Sequence, residues 1–364
     1  MKNVSYLLFV VISFFCLLCS SAAHAGVGTE AASFLDIPVG ARPAALGDAY
    51  AALATDAYAM TSNPGGLAFL DNTEVAAQHL AYLESIDYEY LSFVHPFHSG
   101  SSAGASIQYL GSGNITQTAP VTGDVTGQYS TYYAAYSAAY SHTVGERLGI
   151  GVTAKMIDAN ISNVSAHAYA ADVGAFYRAR PDLNIAAVVT NMGTPLTFLQ
   201  DGGALPLAGK VGVSYTPNTR CMISVQGEYE DTGLMSEHIG VEWKPIEAIA
   251  LRAGYRTDTT KELGAMAGLS TGFGIIMWGQ ELSYAWLPDG DLGNTQYISF
   301  LARFGQTEKE KRNLIHYQAL KLHRHAGDSV IEPSDPEYEQ LMQLLSDENT
   351  ELYTRRPDDG GPTP

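Results

Sequence analysis

The alternating stretch at residues 294–304 reads Asn-Thr-Gln-Tyr-Ile-Ser-Phe-Leu-Ala-Arg-Phe. Side chains point to opposite faces of an extended chain at successive positions, so the stretch divides into two sets. The first set is Ile298, Phe300, Ala302 and Phe304, and the second is Tyr297, Ser299, Leu301 and Arg303. This period of two predicts a β-strand with one strongly apolar face.

The same alternation recurs upstream, at residues 237–243 and 281–286. The apolar sets are Ile239, Val241 and Trp243 in the first stretch, and Leu282, Tyr284 and Trp286 in the second. One apolar face and one small or polar face is what a β-barrel in lipid requires. A soluble β-sandwich also alternates, so the number and length of the strands must decide between the two.

Short, Gly-punctuated segments of this kind fill residues 73–304. Candidate strands begin near Thr73, Ile86, Gly100, Thr131, Arg147, Ala166, Asp182, Ala208, Cys221, Ser236, Ala248, Lys261, Gly279 and Asn294. Fourteen is an even number, as in bacterial single-chain barrels, and about ten residues let a tilted strand cross a bilayer. Because no backbone group is left unpaired in lipid, the sheet should close. We therefore expect an all-β fold, a fourteen-stranded antiparallel transmembrane barrel.

Composition agrees with this class. Of 364 residues only 16% are charged, against about 25% in ordinary soluble domains, while Gly (36) and Tyr (22) are abundant. A net charge of −18 argues against nucleic acid as a partner, because phosphates are bound by basic clusters. Aromatic residues near strand ends suggest interfacial girdles, although aromatics also simply favour strands. They are Tyr88, Tyr90, Tyr132, Tyr133, Trp243, Trp278, Trp286 and Tyr297.

The first 25 residues have the features of a secretory signal peptide. Lys2 precedes an apolar run at residues 7–18, and Ala23-His24-Ala25 offers small residues for cleavage after Ala25. A retained anchor and a lipoprotein cleavage at Cys19 are the alternatives. Of the three cysteines, only Cys221 then stays in the mature chain, so no intramolecular disulfide is expected.

A family resemblance enters at residues 34–67. FLDIPVGARPAALGDAY at residues 34–50 leads through 54–59 to Asn-Pro-Gly-Gly-Leu at residues 63–67. This resembles the amino-terminal signature of the PorV/PorQ family of outer-membrane barrels and, more distantly, the Asn-Pro-Ala-Gly-Leu motif of FadL fatty-acid transporters. Further matches lie at residues 171–178, 189–193, 251–255 and 284–293. The resemblance implies a fourteen-stranded barrel with an amino-terminal hatch at residues 26–72.

The hatch motif also has a physical rationale. Pro64 fixes its own φ and restrains Asn63, whose amide can bond nearby backbone, and the next two glycines tolerate unusual angles. A plain structural turn before the first strand is the alternative. The hatch or gating candidates are Arg42, Pro43, Gly47, Asp56, Asn63, Pro64, Gly65, Gly66 and Leu67.

Candidate catalytic or cofactor chemistry is scarce. Gly149-Ile-Gly151 faintly resembles a dinucleotide fingerprint, but it lies in a strand pattern without a following helix. His95 and His98 flank a proline, which is poor geometry for metal ligands. Ser141 and His142 are neighbours in a predicted strand, so their side chains should point to opposite faces. We expect no catalytic, cofactor or metal site, and no enzyme.

Residues 305–364 differ from the barrel, because they are charged and helix-forming. Amphipathic helices are predicted at residues 308–324 and 335–352, followed by a disordered end. An even-stranded barrel returns both ends to one side, so this tail and the amino terminus should be periplasmic, in the outer membrane of a Gram-negative-type bacterium. The tail is then either a loosely folded extension or a docking arm for a periplasmic partner.

Two functions follow from the resemblance. PorV-like members serve type IX secretion, which implies a non-enzymatic barrel that binds secreted cargo proteins. The alternative is a FadL-like channel for small hydrophobic compounds such as fatty acids, and a structural barrel is a third possibility. A plugged, polar lumen would favour the export platform, whereas an apolar pocket near residues 26–67 would favour transport. Expected partners are outer-membrane lipid and the barrel-assembly machinery, which commonly reads a terminal aromatic residue such as Phe304.

Overall fold

The computed structural model of the chain describes residues 30–82, 86–97, 100–119, 122–258, 267–288 and 293–305. The predicted signal peptide, the helical tail and His98 lie outside the described residues. Among the described residues, no helix reaches the length and apolarity that a membrane-spanning helix needs.

Fourteen antiparallel strands form one closed barrel, as the alternation and the strand count predict. The barrel strands are β1 (Thr73–Ala81), β2 (Asp87–Phe97), β3 (Ser101–Gly111), β6 (Thr131–Val144), β7 (Leu148–Ile161), β8 (Val164–Arg180), β9 (Leu183–Gly193), β12 (Ala208–Asn218), β13 (Cys221–Glu230), β14 (Met235–Ile246), β15 (Ile249–Arg256), β16 (Leu269–Met277), β17 (Gln280–Pro288) and β18 (Asn294–Phe304). Pairing of β1 with β18, from Thr73 opposite Phe304 to Ala81 opposite Gln296, closes the ring.

The two ends of the barrel differ in their connections. At one end, which we call the short-turn end, β2 joins β3, β6 joins β7, and β12 joins β13 through two or three residues. Thr73 and Phe304 also lie at this end. The other end, the long-loop end, carries two small hairpins within its connections. They are β4 (Ile115–Thr118) with β5 (Val125–Tyr129), and β10 (Leu196–Phe198) with β11 (Asp201–Gly203).

Strand starts agree with the predicted ones within two residues, with a single difference. The strand expected from Lys261, which lies outside the described residues, begins at Leu269. Gly268 immediately before it has a φ of +89°, which belongs to a turn and not to a strand.

The alternating faces also agree with prediction. Ile239 and Trp243 on β14 lie on the outer face, 45% and 51% exposed, whereas Glu242 between them is 3% exposed and faces the lumen. An apolar outer band with a polar interior is the arrangement of outer-membrane-type barrels.

Part of the predicted aromatic girdle lies elsewhere. Trp243 and Trp278 are exposed near the short-turn end, and Trp286 is on the outer face near the long-loop end. In contrast, Tyr88, Tyr90 and Tyr297 are buried inside the barrel. The reason is that alternate residues of a strand face opposite sides of the sheet, so the position of an aromatic residue along its strand decides whether it faces lipid or the lumen.

Residues 30–72, the described part of the predicted hatch at residues 26–72, run through the lumen from one end to the other, and we keep the name hatch for this segment. The backbone N–H of Ala31 donates to the carbonyl of Ala204 at the long-loop end, and the segment enters β1 at the short-turn end. It contains two short α-helices, Ala41–Ala45 and Ala59–Ser62, and two 3₁₀ helices, Ser33–Asp36 and Pro64–Phe69. Most of its residues are buried, so the hatch forms the core of the barrel.

Candidate functional site

Glycines of the barrel wall let the hatch backbone lie directly against the strands, and we call these contact positions the glycine seats. A Cβ on Gly151 of β7 would stand 2.3 Å from the carbonyl carbon of Pro64, and one on Gly254 of β15 would stand 2.1 Å from the nitrogen of Gly47. Non-bonded atoms do not come this close, so only glycine allows this approach. Gly149 lies two residues before Gly151, and a Cβ on it would stand 2.3 Å from the carbonyl oxygen of Gly65. The two glycines that faintly resemble a nucleotide motif are therefore strand residues in contact with the hatch.

Asn63 fixes the sharpest turn of the hatch. Its Oδ1 accepts from the backbone N–H of Gly65 at 3.0 Å. Its Nδ2 donates to the carbonyl of Ala51 in the hatch at 3.0 Å and to that of Ala175 on β8 at 3.1 Å. Asn63 itself is fully buried. One side chain thus connects two segments of the hatch and the barrel wall.

Pro64 to Leu67 continue this turn as buried residues of the second 3₁₀ helix. A Cβ on Gly65 would lie 2.8 Å from the carbonyl oxygen of Gly174 on β8, so a larger residue would push the hatch off the wall. The Asn-Pro-Gly-Gly-Leu motif is in this way a contact element. Its role in gating stays a prediction.

Arg42 joins the hatch to the wall through charge. Its Nε donates to Glu242 at 2.9 Å and one Nη donates to the other carboxylate oxygen at 3.2 Å, a bidentate pair. Its second Nη lies 3.2 Å from the hydroxyl oxygen of Tyr50 and 3.7 Å from Asp56. The Tyr50 hydroxyl in turn donates to Asp56.

The network continues into the wall. Arg252 of β15 donates to Glu242 at 2.8 Å, to Glu281 of β17 at 2.5 Å and to the hydroxyl of Ser283 at 2.8 Å. Arg252 and Glu242 are both buried. Buried ions are tolerated only when paired, and here two arginines share Glu242, while Arg42 also lies near Asp56 and Arg252 also pairs with Glu281.

Pro43 and Gly47 have backbone roles around this network. Pro43 lies buried in the first turn of the helix Ala41–Ala45, where its missing N–H leaves no bond unmade. Gly47 has a φ of +63° and is packed against the backbone of Tyr255. Both keep Arg42 and its helix close to the wall.

A second ionic cluster lies around Lys210. Its ammonium is 3.3 Å from Asp48 of the hatch and 3.0 Å from Glu228 of β13. His238 completes the group, 3.5 Å from Glu228 and 2.7 Å from the carbonyl oxygen of Gly47. Asp48, Glu228 and His238 are residues of the kind that bind metal ions, and one side-chain oxygen or nitrogen from each lies within 4.8 Å of the others. Because the Lys210 ammonium already pairs with both carboxylates, the group is an ion-pair cluster.

Sequence reasoning named Arg42, Asp56 and Asn63 but missed the charged wall residues of the two ionic networks. Glu242, Arg252, Glu281, Lys210 and Glu228 are far from the hatch in sequence, and their only signal is a charge on the inward face of an alternating strand. Phe304 is exposed at the end of β18, at the short-turn end. Ser141 faces the lumen and donates to the carbonyl of Gly65 at 3.3 Å, while His142 is on the outer face.

A group of hydrophobic residues lies at the long-loop end of the lumen. Partly buried hydrophobic residues of the hatch and the wall surround the start of the hatch there, packed against Phe34 and its buried neighbours. We call this group the apolar mouth, and it consists of Leu35, Ile37, Tyr82, Leu110, Tyr133, Phe198 and Leu287. This end of the lumen therefore combines the apolar mouth with charged groups, among them Glu30 and Asp36 of the hatch.

A closed fourteen-stranded barrel with an apolar outer face and a hatch in its lumen is an outer-membrane-type β-barrel. The chain belongs to the uncharacterised protein family UPF0164, whose model matches residues 18–204. No curated protein matches the chain.

Three solved structures with a similar fold are named as hydrocarbon channels or toluene transporters. The Pseudomonas putida toluene transporter TodX has 11% identity and a TM-score of 0.55, covering 74% of this chain and 99% of that chain. The CymD monoaromatic hydrocarbon channel has 13% identity and a TM-score of 0.54, covering 74% and 98%. The Ralstonia pickettii toluene transporter TbuX has 14% identity and a TM-score of 0.53, covering 73% and 98%. At these identities the similarity is one of fold.

Proposed function

We propose that the chain lets small hydrophobic compounds cross the outer membrane, and that it does so when the hatch moves. In this proposal the short-turn end faces the periplasm and the long-loop end faces the exterior, the usual arrangement in bacterial barrels. The expectation of a FadL-like transporter is thereby preferred to that of an export component.

The observation that carries the proposal is the apolar mouth. Apolar compounds gain free energy when they leave water for such a surface, at about 25 cal/mol per Å² buried. Tyr133 and Phe34, with ring centroids 5.6 Å apart, place aromatic faces where the hatch begins. The fold shared with the toluene transporters and the hydrocarbon channel supports the same class of substrate.

Passage requires displacement of the hatch, because the hatch occupies the lumen beneath the mouth. Among the described residues, its contacts with the wall are hydrogen bonds, ion pairs, apolar packing and the close approaches at glycines, all of them non-covalent. Non-covalent contacts of this kind can be broken and formed again. The hatch is thus a closure whose opening would admit a compound already held at the mouth.

The test is uptake of radiolabelled toluene and oleate by Gram-negative cells that lack their own channel for these compounds. Cells with the chain assembled in their outer membrane should take up at least one of the two faster than cells with an empty vector. A heat-dependent shift in gel mobility confirms that the barrel is folded. Equal uptake of both compounds by the two kinds of cell, with folded barrel present, would refute the proposal.

A second candidate function is an export platform of the PorV/PorQ kind, and the polar, filled middle of the lumen favours it. Gln78, Gln108, Gln226 and Arg252 are buried wall residues between the two ends, and such groups do not offer a path to apolar compounds. Cargo would then be held by the external loops, and the tail at residues 305–364 would contact a periplasmic partner. Crosslinked pull-down from outer membranes distinguishes the two functions, since secreted proteins with a shared carboxy-terminal domain would support export and refute simple transport.

A further inference from the structure

A cavity of about 200 Å³ opens at the short-turn end, away from the apolar mouth. The hatch contributes Arg42, Leu53 and Thr55 to its lining. The remaining lining residues come from β9, β12, β13 and β14 and from the turn between β12 and β13. They are Asn184, Thr216, Thr219, Arg220, Cys221, Met222, Glu242 and Lys244. The cavity therefore lies at the joint between the hatch and the wall.

Positive charge dominates this cavity. Three of its lining residues are cations, namely Arg42, Arg220 and Lys244, whereas Glu242 is its one carboxylate. Glu242 is already engaged, since it accepts hydrogen bonds from Arg42 and from the buried Arg252 and lies 3.4 Å from Lys244. Arg42 also lies near Asp56 and Arg252 also pairs with Glu281, but Lys244 has only its share of Glu242 among the residues that the structure describes.

Arg220 is the lining cation without a carboxylate partner among the described residues. Its side chain is exposed, and within the described part of the chain its guanidinium makes no ion pair. Lys244 is 35% exposed at the rim and shares its carboxylate with two arginines. As far as the structure describes the chain, the rim of the cavity thus carries one cation without an ion pair, Arg220, and one that shares its carboxylate, Lys244. This pair favours an anionic ligand.

The rest of the lining is amphipathic. Leu53 and Met222 are nearly buried apolar side chains at the wall of the cavity. Thr55, Asn184 and Thr216 add hydroxyl and amide groups, which can bond a ligand oxygen. A ligand that fits has a short apolar part and one anionic group.

We propose that this cavity binds a small organic carboxylate, with the anionic group between Arg220 and Lys244 and the apolar part against Leu53 and Met222. Both cations donate charge-assisted hydrogen bonds to the carboxylate, and Arg220 can do so with two N–H groups. Binding itself does not depend on passage through the barrel. The proposal rests on the proposed function only in making the cavity a site on the periplasmic side of the hatch.

Calorimetry on the purified full chain in non-ionic detergent tests this with three ligands of one chain length: hexanoate, 1-hexanol and hexylammonium. Hexanoate should bind at least tenfold more tightly than hexanol, and hexylammonium should not bind. The double variant Arg220→Gln, Lys244→Gln should bind hexanoate at least tenfold more weakly. Arg180→Gln is the matched control, because Arg180 is an exposed arginine at another short turn, paired with Asp182 at 3.0 Å.

A second measurement needs no variant. Cys221 lines the cavity, so hexanoate should slow its labelling by N-ethylmaleimide in the unaltered protein, while hexanol should not. Equal affinity for hexanoate and hexanol, or unchanged hexanoate binding by a folded double variant, would overturn the proposal. Inorganic phosphate binding as tightly as hexanoate would also overturn it, since the apolar part would then contribute nothing. Loss of uptake with retained hexanoate binding would refute the transport function and leave this site intact.

Discussion

Replacing Asn63 with alanine should loosen the hatch without unfolding the barrel. The substitution removes three hydrogen bonds, to the N–H of Gly65 and to the carbonyls of Ala51 and Ala175. All three partners stay in place because backbone atoms form them. Each would be left with one bond fewer at the site of a side chain that is fully buried.

The magnitude follows from the number of bonds lost. At about 1 kcal/mol for each hydrogen bond, the hatch would lose roughly 3 kcal/mol of its closing free energy. Since 1.4 kcal/mol corresponds to a factor of ten, the open fraction of the hatch should rise by about 150-fold. The barrel strands keep their ladders, so their stability should change little.

Hydrogen exchange followed by mass spectrometry measures this opening in the purified protein. Peptides from residues 46–66 should exchange about two orders of magnitude faster in Asn63→Ala, while those from residues 294–304 should be unchanged. Asn160→Ala is the matched control, because the Nδ2 of Asn160 donates only to the hydroxyl of Ser165 in an exposed pair.

Asn63→Asp separates hydrogen bonding from simple space filling. Aspartate has the same shape and keeps the acceptor for Gly65, but it loses both donated bonds and brings a charge next to two carbonyl oxygens. Exchange should therefore be at least as fast in Asn63→Asp as in Asn63→Ala. Normal protection in Asn63→Asp, or in Asn63→Ala, would refute the reasoning that these bonds hold the hatch.

Two further substitutions test the seats and the ion pairs of the hatch. Gly151→Ala places a Cβ 2.3 Å from the Pro64 backbone, so hatch peptides should exchange at least tenfold faster; Gly209→Ala, with open space around its Cβ, should leave exchange unchanged. Glu242→Gln removes the charge that Arg42 and Arg252 share but leaves them Asp56 and Glu281, so it should destabilise the protein by about 1.5 to 3 kcal/mol in denaturant unfolding. Glu237→Gln, an exposed glutamate of the same strand, is its control and should change stability by less than about 0.5 kcal/mol. Equal effects of either variant and its control would contradict the contacts described.

The barrel could be predicted from sequence because each strand carries its own signal. Residues 294–304 alternate strictly, and the faces of Ile298 and Ser299 follow from that alone. Tyr88 shows the limit of this reasoning. An aromatic residue near a strand end suits the lipid interface and the lumen equally well, and only the parity of the whole strand decides between them.

For the contacts of the hatch, the sequence predicts the hatch residues but not their partners in the barrel wall. The motif around Asn63 marks a tight turn, but its partner Ala175 is 112 residues away and carries no distinguishing side chain. Arg42 and Glu242 are likewise 200 residues apart, and their pairing depends on the register of every strand between them. Gly149 and Gly151 gave a visible pattern, yet their role requires knowing which backbone lies over them.

The most direct test of the account is to lock the hatch to the wall. A Cβ on Gly212 of β12 would lie 3.5 Å from the Cβ of Ala52 in the hatch, within the range that a disulfide spans. The double variant Ala52→Cys, Gly212→Cys, with Cys221→Ser to remove the other thiol of the predicted mature chain, should crosslink when oxidised, and each single cysteine variant is a control.

Uptake of toluene or oleate by cells carrying the oxidised double variant should fall to the level of cells without the chain, and reduction should restore it. Unchanged uptake with the crosslink fully formed would contradict the claim that compounds pass only when the hatch moves.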